Sequence, residues 1–343
     1  MLRCGNSLHH PLLQSEVAGL KKELEALHAE NDNVLHGVWA SLGTASKGSQ
    51  AVTFSLARRL AGHFGKVKAL HWGSSSKLAS ASQDGKLFVW DAANDARTLS
   101  IKLESAWVMA CAMERSEQRI IACGGLDNTC SLYDCEVTAP TISKPSAEFT
   151  GHEGYLSKVT FIDKHHILTA SGDSTCCIWD ASSGQPALCP ALFMVCFASS
   201  CSVDLQPGNT NVFASGSCDG TVRVWDVRTG RCTHCFLGHD SDVNDVAFFP
   251  SGHVVCSGSD DSTCRMFDMR ARCTINLLSH EAKTGSIVSS IGVSHSGAFL
   301  IAGYEDCTAC AWDVTSKDMR FHQLGSGWDN MVLVWSGAKS SGK

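Results

Sequence analysis

The sequence predicts an all-β fold, a β-propeller with a seven-bladed plan whose seventh blade is incomplete, preceded by an N-terminal coiled-coil helix. At seven repeat positions of the 343-residue chain, an aspartate lies six residues before an aromatic residue. The first six of these aspartates are 43, 46, 46, 42 and 45 residues apart, but the last interval is only 23 residues. The seven pairs are Asp84/Trp90, Asp127/Tyr133, Asp173/Trp179, Asp219/Trp225, Asp261/Phe267, Asp306/Trp312 and Asp329/Trp335.

This period is the WD40 signature, in which each repeat forms one four-stranded blade. Because propellers close as one large unit, we expect a single propeller domain over residues 52–336. About 19 residues of an ordinary repeat are missing between Trp312 and Asp329, which is enough for roughly two strands with their turns. A splice form, a divergent paralogue or an imperfect gene model would each produce this shortening.

The N-terminal part predicts three segments before the propeller. Residues 1–14 lack periodicity and are expected to be disordered, residues 15–38 form a coiled-coil helix with Ser15 as N-cap, and residues 39–51 form a small, polar linker. The helix is indicated by a heptad seam with alternating steps of three and four residues. We expect this seam to pair with a partner helix, and the alternative is that the helix folds back on the propeller. The seam consists of Val17, Leu20, Leu24, Leu27, Asn31, Val34 and Val38.

The incomplete blade is expected to hold one strand from each end of the propeller. Val52–Leu60 is predicted as a strand that completes the last blade, and Met331–Trp335 supplies its final strand. Residues 337–343 are expected to be a disordered tail.

Several repeats carry a His, a Ser, a turn Asp and a Trp that can hydrogen-bond within one blade. Such a set resembles a catalytic site, but its repetition in several blades indicates a structural role and no catalysis. The predicted network residues are His63, Asp84, Trp90, His152, Asp173, Trp179, Asp219, Trp225, His239 and Asp261.

Composition and charge exclude several classes of function. The net charge is −6, from 28 basic and 34 acidic residues, so no nucleic-acid partner is expected. The longest dense apolar run, 191–198, is too short to cross a bilayer, and neither end carries a secretion or prenylation signal. These features predict a cytoplasmic protein.

The 18 cysteines are interpreted as reduced, structural thiols. Most lie in apolar, strand-like stretches, and free Cys is among the most buried residue types. Cys307 and Cys310 form a C-x-x-C pair, but no second pair or His cluster lies at the distance from it that a zinc site requires. We therefore predict neither a metal nor a cofactor.

Several stretches resemble the β subunit of heterotrimeric G proteins. They are His71-Trp72-Gly73, residues 80–86 (SASQDGK), residues 107–112 (WVMACA), residues 122–128 (ACGGLDN) and residues 258–261 (GSDD). The order of an N-terminal heptad helix and WD repeats is also similar, so the resemblance covers roughly residues 16–335.

This resemblance implies a non-catalytic signalling scaffold in GPCR signal transduction. The helix would bind a G protein γ subunit or the γ-like domain of a regulator, and lipidated partners would bring the protein to the cytoplasmic face of the plasma membrane. The top face of the propeller would bind GDP-bound Gα, and then effectors. The matching positions for Gα and effectors are Lys66, Leu70, Trp107, Met109, Leu126, Asn128, Tyr155, Asp242, Asn244, Asp260 and Trp328.

The chain departs from that family at specific positions. Lys68 stands where the family usually has Tyr, the fourth repeat lacks its Gly-His opening, and Ser199 and Cys201 replace an Asp and a Met. A regulator-associated Gβ-like protein with weak Gα coupling is therefore an alternative. A second alternative is a ubiquitin-ligase substrate receptor, since residues 225–228 (WDVR) and 267–270 (FDMR) fit a W-D-x-R motif. A ribosome-associated WD protein is disfavoured by the acidic balance and the heptad.

Overall fold

The computed structural model describes residues 52–73, 76–136, 141–182, 185–188, 199–279, 284–315, 319–324 and 330–339. The described residues form strands and turns, and this part of the chain contains no helix. The predicted disordered N-terminus, coiled-coil helix and linker (1–14, 15–38 and 39–51) lie outside it, as does Trp328.

Six sheets of four or five strands and one two-stranded sheet make a WD40 propeller-like fold. Apart from two short strands described below, each larger sheet is an antiparallel meander of consecutive strands, as short strands joined by tight turns favour. The first three sheets contain, in chain order, β2 (Val67–Trp72), β3 (Lys77–Ser82), β4 (Lys86–Asp91) and β5 (Ala96–Lys102); β6 (Val108–Met113), β7 (Ile120–Gly125) and β8 (Cys130–Asp134); and β11 (Leu156–Phe161), β12 (His166–Ser171), β13 (Cys176–Asp180) and β14 (Gln185–Leu188).

Two short strands complete the first and second sheets. β9 (Thr141–Ile142) pairs in parallel with β5, and β10 (Ala147–Phe149) pairs with β8. The fourth, fifth and sixth sheets contain β15 (Ser200–Leu205), β16 (Val212–Ser217), β17 (Val222–Asp226) and β18 (Arg231–Phe236); β19 (Val243–Phe248), β20 (Val254–Ser259), β21 (Cys264–Asp268) and β22 (Cys273–Leu278); and β23 (Val288–Val293), β24 (Phe299–Tyr304), β25 (Thr308–Asp313) and β26 (Met319–Leu324).

The two-stranded sheet joins the two ends of the described chain. β1 (Val52–Ala61) pairs antiparallel with β27 (Met331–Lys339). Both strands lie where the sequence predicts strands, but β27 runs to Lys339, beyond the predicted domain end at residue 336. β1 begins at Val52, as predicted, and β27 extends because Val52 and Thr53 are paired with Lys339 and Ala338.

The two aspartates of each repeat form the two tight turns of each sheet. The first aspartate accepts the backbone N–H two residues later: Asp173 Oδ1 lies 2.9 Å from Thr175 N. The residue between them is left-handed, as at Ser174 with φ of 70°, and this Asx turn joins the second and third strands. The second aspartate does the same between the third and fourth strands, as Asp226 does for the Arg228 N–H at 2.9 Å.

Small side chains allow neighbouring sheets to pack face to face. The second strand of each of the first five sheets is almost wholly buried; β20 reads Val-Val-Cys-Ser-Gly-Ser and is buried throughout. A Cβ on Gly258 would lie 2.5 Å from Val288 Cγ1 of the next sheet, so the sheets meet more closely there than a larger residue permits. Mixed clusters of apolar side chains fill the spaces between the first five sheets.

The far face of the sixth sheet is less covered by the described residues. Gly303 is equivalent to Gly258, yet its nearest atoms belong to Ser289 and Ser290 of its own sheet. Ile301 is 38% exposed, whereas Leu168 in the equivalent strand of the third sheet is fully buried. The two-stranded sheet packs instead on the first sheet, through Leu60 and the cluster around it.

Candidate functional site

Each of the six larger sheets carries the same irregularity at one end of its first strand. The first strand slips by one residue against the second, and a backbone hydrogen bond closes the slip. In the first sheet Gln83 N donates to Lys66 O over 2.9 Å, and Lys68 is the unpaired residue. The equivalent bonds run from Leu126 to Trp107, Gly172 to Tyr155, Cys218 to Ser199, Asp260 to Asp242 and Glu305 to Ile287.

These positions form a repeated edge that we call the rim. In each sheet, the rim comprises the two residues of the closing bond and the unpaired bulge residue of the first strand. It also includes the left-handed residue in the turn between the second and third strands. Bulges re-aim side chains away from the strand ladder and commonly lie next to functional sites. Because the first strands of neighbouring sheets contact each other, the rim residues of consecutive sheets lie side by side.

Nine of the eleven predicted Gα and effector positions belong to the rim. Of the other two, Leu70 lies in the middle of β2 and is 53% exposed, and Trp328 lies outside the described residues. The nine rim residues are Lys66, Trp107, Met109, Leu126, Asn128, Tyr155, Asp242, Asn244 and Asp260.

The rim of the first and second sheets is apolar and basic. Trp107 and Leu126, which share a closing bond, are 55% and 50% exposed. Phe64 is 83% exposed, and the ammonium of Lys86 lies 5.6 Å from its ring centroid. Lys66 adds a positive charge. Large exposed apolar side chains grouped in this way are typical of interaction surfaces.

The rim of the fifth and sixth sheets is acidic. Asp260 and Glu305 are the amide donors of their closing bonds, and Asp242 is the acceptor in the fifth sheet. Asn244 Nδ2 donates to Asp260 Oδ1 over 2.5 Å and to the backbone oxygen of Val288 over 2.8 Å. Asn244 thereby holds the Asp260 carboxylate in place, so its negative charge has a fixed position on the rim.

Tyr155 and two cysteines lie between these two parts. Burial raises the pKa of Tyr155, with further contributions from the neighbouring Cys201 and Cys218, while a hydrogen bond with Ser199 acts in the opposite direction. The Tyr155 hydroxyl is therefore neutral at physiological pH and available as a hydrogen-bond donor.

Beneath the rim, one carboxylate ties four consecutive sheets together. Asp245 Oδ1 accepts from Lys158 Nζ at 3.1 Å and from Ser202 Oγ at 2.6 Å, while its Oδ2 accepts from Ile291 N at 2.9 Å. Coulombic attraction to Asp245 raises the pKa of Lys158 despite its burial. Nearby, burial raises the pKa of Asp204 to about 6. This network gives the rim a rigid base.

The His, Ser or Thr, Asp and Trp set forms hydrogen-bonded chains in the first and third sheets. In the third sheet, Trp179 Nε1 donates to Thr169 Oγ1 over 2.9 Å. The Thr169 hydroxyl lies 2.8 Å from His152 Nε2, and His152 Nδ1 lies 2.8 Å from Asp173 Oδ2. Because a carboxylate only accepts hydrogen bonds, His152 Nδ1 donates to Asp173 Oδ2.

The first sheet repeats this chain through His63, Ser80, Trp90 and Asp84. The fifth sheet has His239, Ser257 and Asp261 with Phe267 in place of Trp. In the fourth sheet Trp225 Nε1 donates to Ser215 Oγ over 3.0 Å, and Asp219 Oδ1 accepts a hydrogen bond from the Thr221 hydroxyl group. Ser80, Ser257 and Thr169 are fully buried, so no substrate reaches their hydroxyl groups in this structure.

Sequence reasoning missed several rim residues, namely Gln83, Gly172, Cys218, Ile287 and Glu305. A signal was available for three of them, because Gln83, Gly172 and Cys218 directly follow strands that end in the small-residue triplets SAS, TAS and SGS. It missed Asp245 for a different reason: its contacts join residues more than forty positions apart, and repeat periodicity gives no information on them.

Both arginines of the W-D-x-R motifs fold back on their own aspartate. Arg228 Nη2 lies 2.9 Å from Asp226 Oδ2, and Arg270 Nη2 lies 3.1 Å from Asp268 Oδ2. Within the described ranges, no group of three His, Cys, Asp or Glu residues is placed to hold a metal ion. The same residues include no helix that is long and apolar enough to span a membrane.

Comparison with known proteins identifies the family. The family model described as G protein beta WD-40 repeat protein matches residues 11–341. A guanine nucleotide-binding protein subunit beta from Zea mays is 38% identical over 317 residues, covering 81% of this chain and 82% of the relative. The subunits from Solanum tuberosum and Arabidopsis thaliana are 39% and 40% identical, covering 84% and 79% of this chain and 87% and 75% of the relatives. The chain belongs to the G protein β family of WD40-repeat proteins.

Proposed function

We propose that this chain is a non-catalytic G protein β subunit whose rim binds GDP-bound Gα and, after nucleotide exchange, effectors. The observation that carries the proposal is the convergence of nine predicted contact residues on equivalent positions of one rim. Residues from four repeats of the sequence share this edge only because the fold repeats its bulge and closing bond in each of the six larger sheets.

The chemistry of the rim supports a two-part contact. The exposed Trp107 and Leu126 offer apolar area, which supplies most of the free energy at interface hot spots. The acidic residues Asp242 and Asp260 favour a partner with basic side chains, which fixes orientation and accelerates association. A partner that places an apolar segment on the second sheet and basic residues on the fifth sheet satisfies both parts.

The N-terminal seam is proposed as the binding site for a γ subunit or a γ-like domain. A helix with one apolar stripe gains most of its stability when the stripe is covered. Lipidated partners would then hold the complex at the cytoplasmic face of the membrane. This part of the proposal rests on the sequence and on family membership.

The test is binding of purified Gα, loaded with GDP or with an activating nucleotide analogue, to the chain co-purified with γ. We expect binding of the GDP form only. Leu126→Ala is compared with Leu277→Ala, since the two side chains are 50% and 48% exposed. Leu277 lies on β22, at the sheet edge opposite the first strand. Leu126→Ala should weaken Gα binding, and Leu277→Ala should not.

Different outcomes distinguish the alternatives. Equal binding of GDP-bound and activated Gα, or equal effects of the two leucine substitutions, rejects the rim as the Gα site. Co-purification of γ without any Gα binding supports the regulator-associated protein with weak Gα coupling, consistent with Ser199 and Cys201 in the fourth sheet. Co-purification of a ligase adaptor in place of γ supports the substrate receptor.

A further inference from the structure

Two thiols meet at the rim of the fourth sheet. The Sγ atoms of Cys201 and Cys218 lie 3.2 Å apart. Both residues are free cysteines of intermediate exposure. Small molecules in solution therefore reach these two thiols more readily than they reach the cysteines that are buried between sheets. Seventeen residues separate the two cysteines in sequence, and the fold alone brings them together.

The contact follows from the repeated backbone of the rim. Cys201 is the bulge residue of β15, between Ser200 and Ser202 in the pairing with β16. Cys218 directly follows β16, and its backbone N–H donates to Ser199 O over 3.1 Å. In the fifth sheet the equivalent side chains also touch, since Asn244 Nδ2 lies 2.5 Å from Asp260 Oδ1. Side-chain contact between these two positions is therefore built into the fold.

We propose that Cys201 and Cys218 are a modification site, at which thiol–disulfide exchange with a small-molecule disulfide forms a reversible intramolecular disulfide. One cysteine thiolate attacks a sulfur of the small disulfide, forms a mixed disulfide and releases one small thiol. The second cysteine thiolate then attacks the protein sulfur of that mixed disulfide and releases the second small thiol. The two protein sulfurs are oxidised, the small disulfide is reduced to two thiols, and the protons of the cysteines pass to those thiols.

The surroundings set the rate of this exchange. Burial raises the pKa of Cys201 and of Cys218, and the carboxylate of Asp242 adds to the rise at both. Since the thiolate is the reactive form, exchange should be slow near neutral pH and faster at alkaline pH. The site therefore responds to sustained oxidation more than to brief exposure.

The disulfide changes the rim between Tyr155 and Asp242. In the reduced form, the Cys218 thiol also interacts with the Asp242 carboxylate, which contributes to its raised pKa, and a disulfide has no S–H group to donate. The sulfurs move from 3.2 Å to about 2.0 Å apart. Tyr155 and Asp242 are both proposed Gα contacts, so this consequence rests on the proposed function, whereas the disulfide itself does not.

The disulfide is tested on the full-length chain without Gα, in buffers of oxidised and reduced glutathione at several ratios. Remaining thiols are alkylated, and the chain is cut on the N-terminal side of aspartates. Cys218 then lies in fragment 204–218 and Cys201 in fragment 180–203. We expect a linked pair of these fragments that dithiothreitol separates and that Cys201→Ser abolishes, with a rate of formation that rises with pH.

Two results would overturn the site. One is the absence of the linked pair under conditions in which the exposed cysteines Cys232 and Cys235 react with glutathione. The other is a linked pair that persists in Cys201→Ser, because fragment 180–203 also contains Cys189 and Cys196. In a Cys232→Ser, Cys235→Ser variant the linked pair should form as in the unmodified chain.

The consequence for the rim is tested separately, by the affinity for GDP-bound Gα before and after oxidation. We expect the oxidised chain to bind about fivefold more weakly, the factor that corresponds to one hydrogen bond of about 1 kcal/mol. Cys201→Ser should give equal affinities under both conditions, whatever its own affinity is. A disulfide that forms without changing the affinity overturns the effect on the rim. If Gα does not bind even to the reduced chain, the proposed function fails while the fragment analysis still decides the disulfide.

Discussion

Thr169 shows how a single hydroxyl group supports a repeat. It is fully buried, accepts the indole N–H of Trp179 and hydrogen-bonds to His152 Nε2. In a buried site, each polar group that loses its partner costs about 1–3 kcal/mol. The repeated His, Ser or Thr, Asp and Trp residues are thus explained by stability, without any chemistry at the hydroxyl.

Thr169→Val should lower the free energy of unfolding by roughly 2–4 kcal/mol, because it removes one hydroxyl at nearly constant volume and leaves two buried groups unpaired. Thr98→Val is the matched control. Thr98 is exposed on β5, and its hydroxyl donates to the Val89 carbonyl over 3.1 Å. Denaturant unfolding should place the control within about 0.5 kcal/mol of the unmodified chain. Equal losses in the two variants would show that the network does not stabilise the repeat.

Asp204 should make stability fall as the pH rises from 4 to 6. Burial raises its pKa from 3.8 to about 6 in the folded state, so between these values the folded chain holds a proton that the unfolded chain has lost. Ionising the carboxyl group at higher pH therefore favours unfolding. Asp204→Asn keeps an acceptor for the Phe248 N–H and removes the charge. Its stability relative to the unmodified chain should increase across this range, by at most about 3 kcal/mol.

Asp163→Asn is the control, because the contribution of Asp163 to stability should change with pH in the opposite direction. Although burial acts the other way, hydrogen bonds from His166 and from the backbone of His165 hold the pKa of Asp163 below its usual value. The stability that this carboxylate contributes is present above the unfolded pKa and is lost as the pH falls. Its substitution should therefore cost stability near neutral pH and progressively less in acid. Unfolding curves at a series of pH values measure the pH dependence of stability for both variants. If the stability of Asp204→Asn changes with pH in parallel with that of the unmodified chain, the prediction for Asp204 is wrong.

At the scale of elements, the sequence predicts what repeats and misses what does not. The strand pairs and the Asx turns follow from aspartates at fixed spacing, so the pattern alone places β1 and β27 at the two ends of the propeller. The extension of β27 to Lys339 was missed, because the strand lengthens through pairing with β1 and not through its own pattern. The bulges were missed too, since a one-residue slip leaves no signature in hydrophobic periodicity.

The same limit applies to the candidate site. Nine rim residues were predicted by resemblance to a family, and their equivalence became visible only through the closing bonds. Leu70 was predicted by the same resemblance, but it does not belong to the rim. Ala69 packs toward the second sheet and the neighbouring His71 accepts the Met113 N–H, so alternation along β2 turns Leu70 to the other face.

The heptad seam of residues 15–38 gives a prediction of its own. Replacing Leu24 and Leu27 with Asp should abolish co-purification of γ, because charges would enter an apolar seam. Ala26→Asp with Ala29→Asp is the matched control: it adds the same charge at the same spacing, but outside the seam. Pull-down of tagged γ measures both. Unchanged recovery with the seam variant, or equal losses in both, would reject the coiled-coil interpretation.

At the scale of the whole molecule, the described residues leave apolar side chains exposed on two sheet faces next to the short repeat. Ile301 is 38% exposed on the sixth sheet, and Leu70 and Trp72 are 53% and 46% exposed on the first. The sequence between β26 and β27, residues 325–330, is too short to supply two further strands. β27 pairs with β1 on one side, and no described strand pairs with its other side, so an unpaired strand edge lies close to exposed apolar side chains.

Inserting the missing stretch of about 19 residues from a full-length relative between β26 and β27 should therefore raise the melting temperature and sharpen the transition. The inserted strands would pair with β27 and cover the exposed faces, and a fully buried large apolar side chain contributes about 1.5–3 kcal/mol. An insertion of equal length rich in glycine and serine is the control, since it lengthens the loop without forming strands. Differential scanning calorimetry compares the three chains. If the relative's sequence stabilises no more than the glycine–serine insertion, then another segment of this chain already covers those faces, and the seventh repeat is not the weak point of the fold.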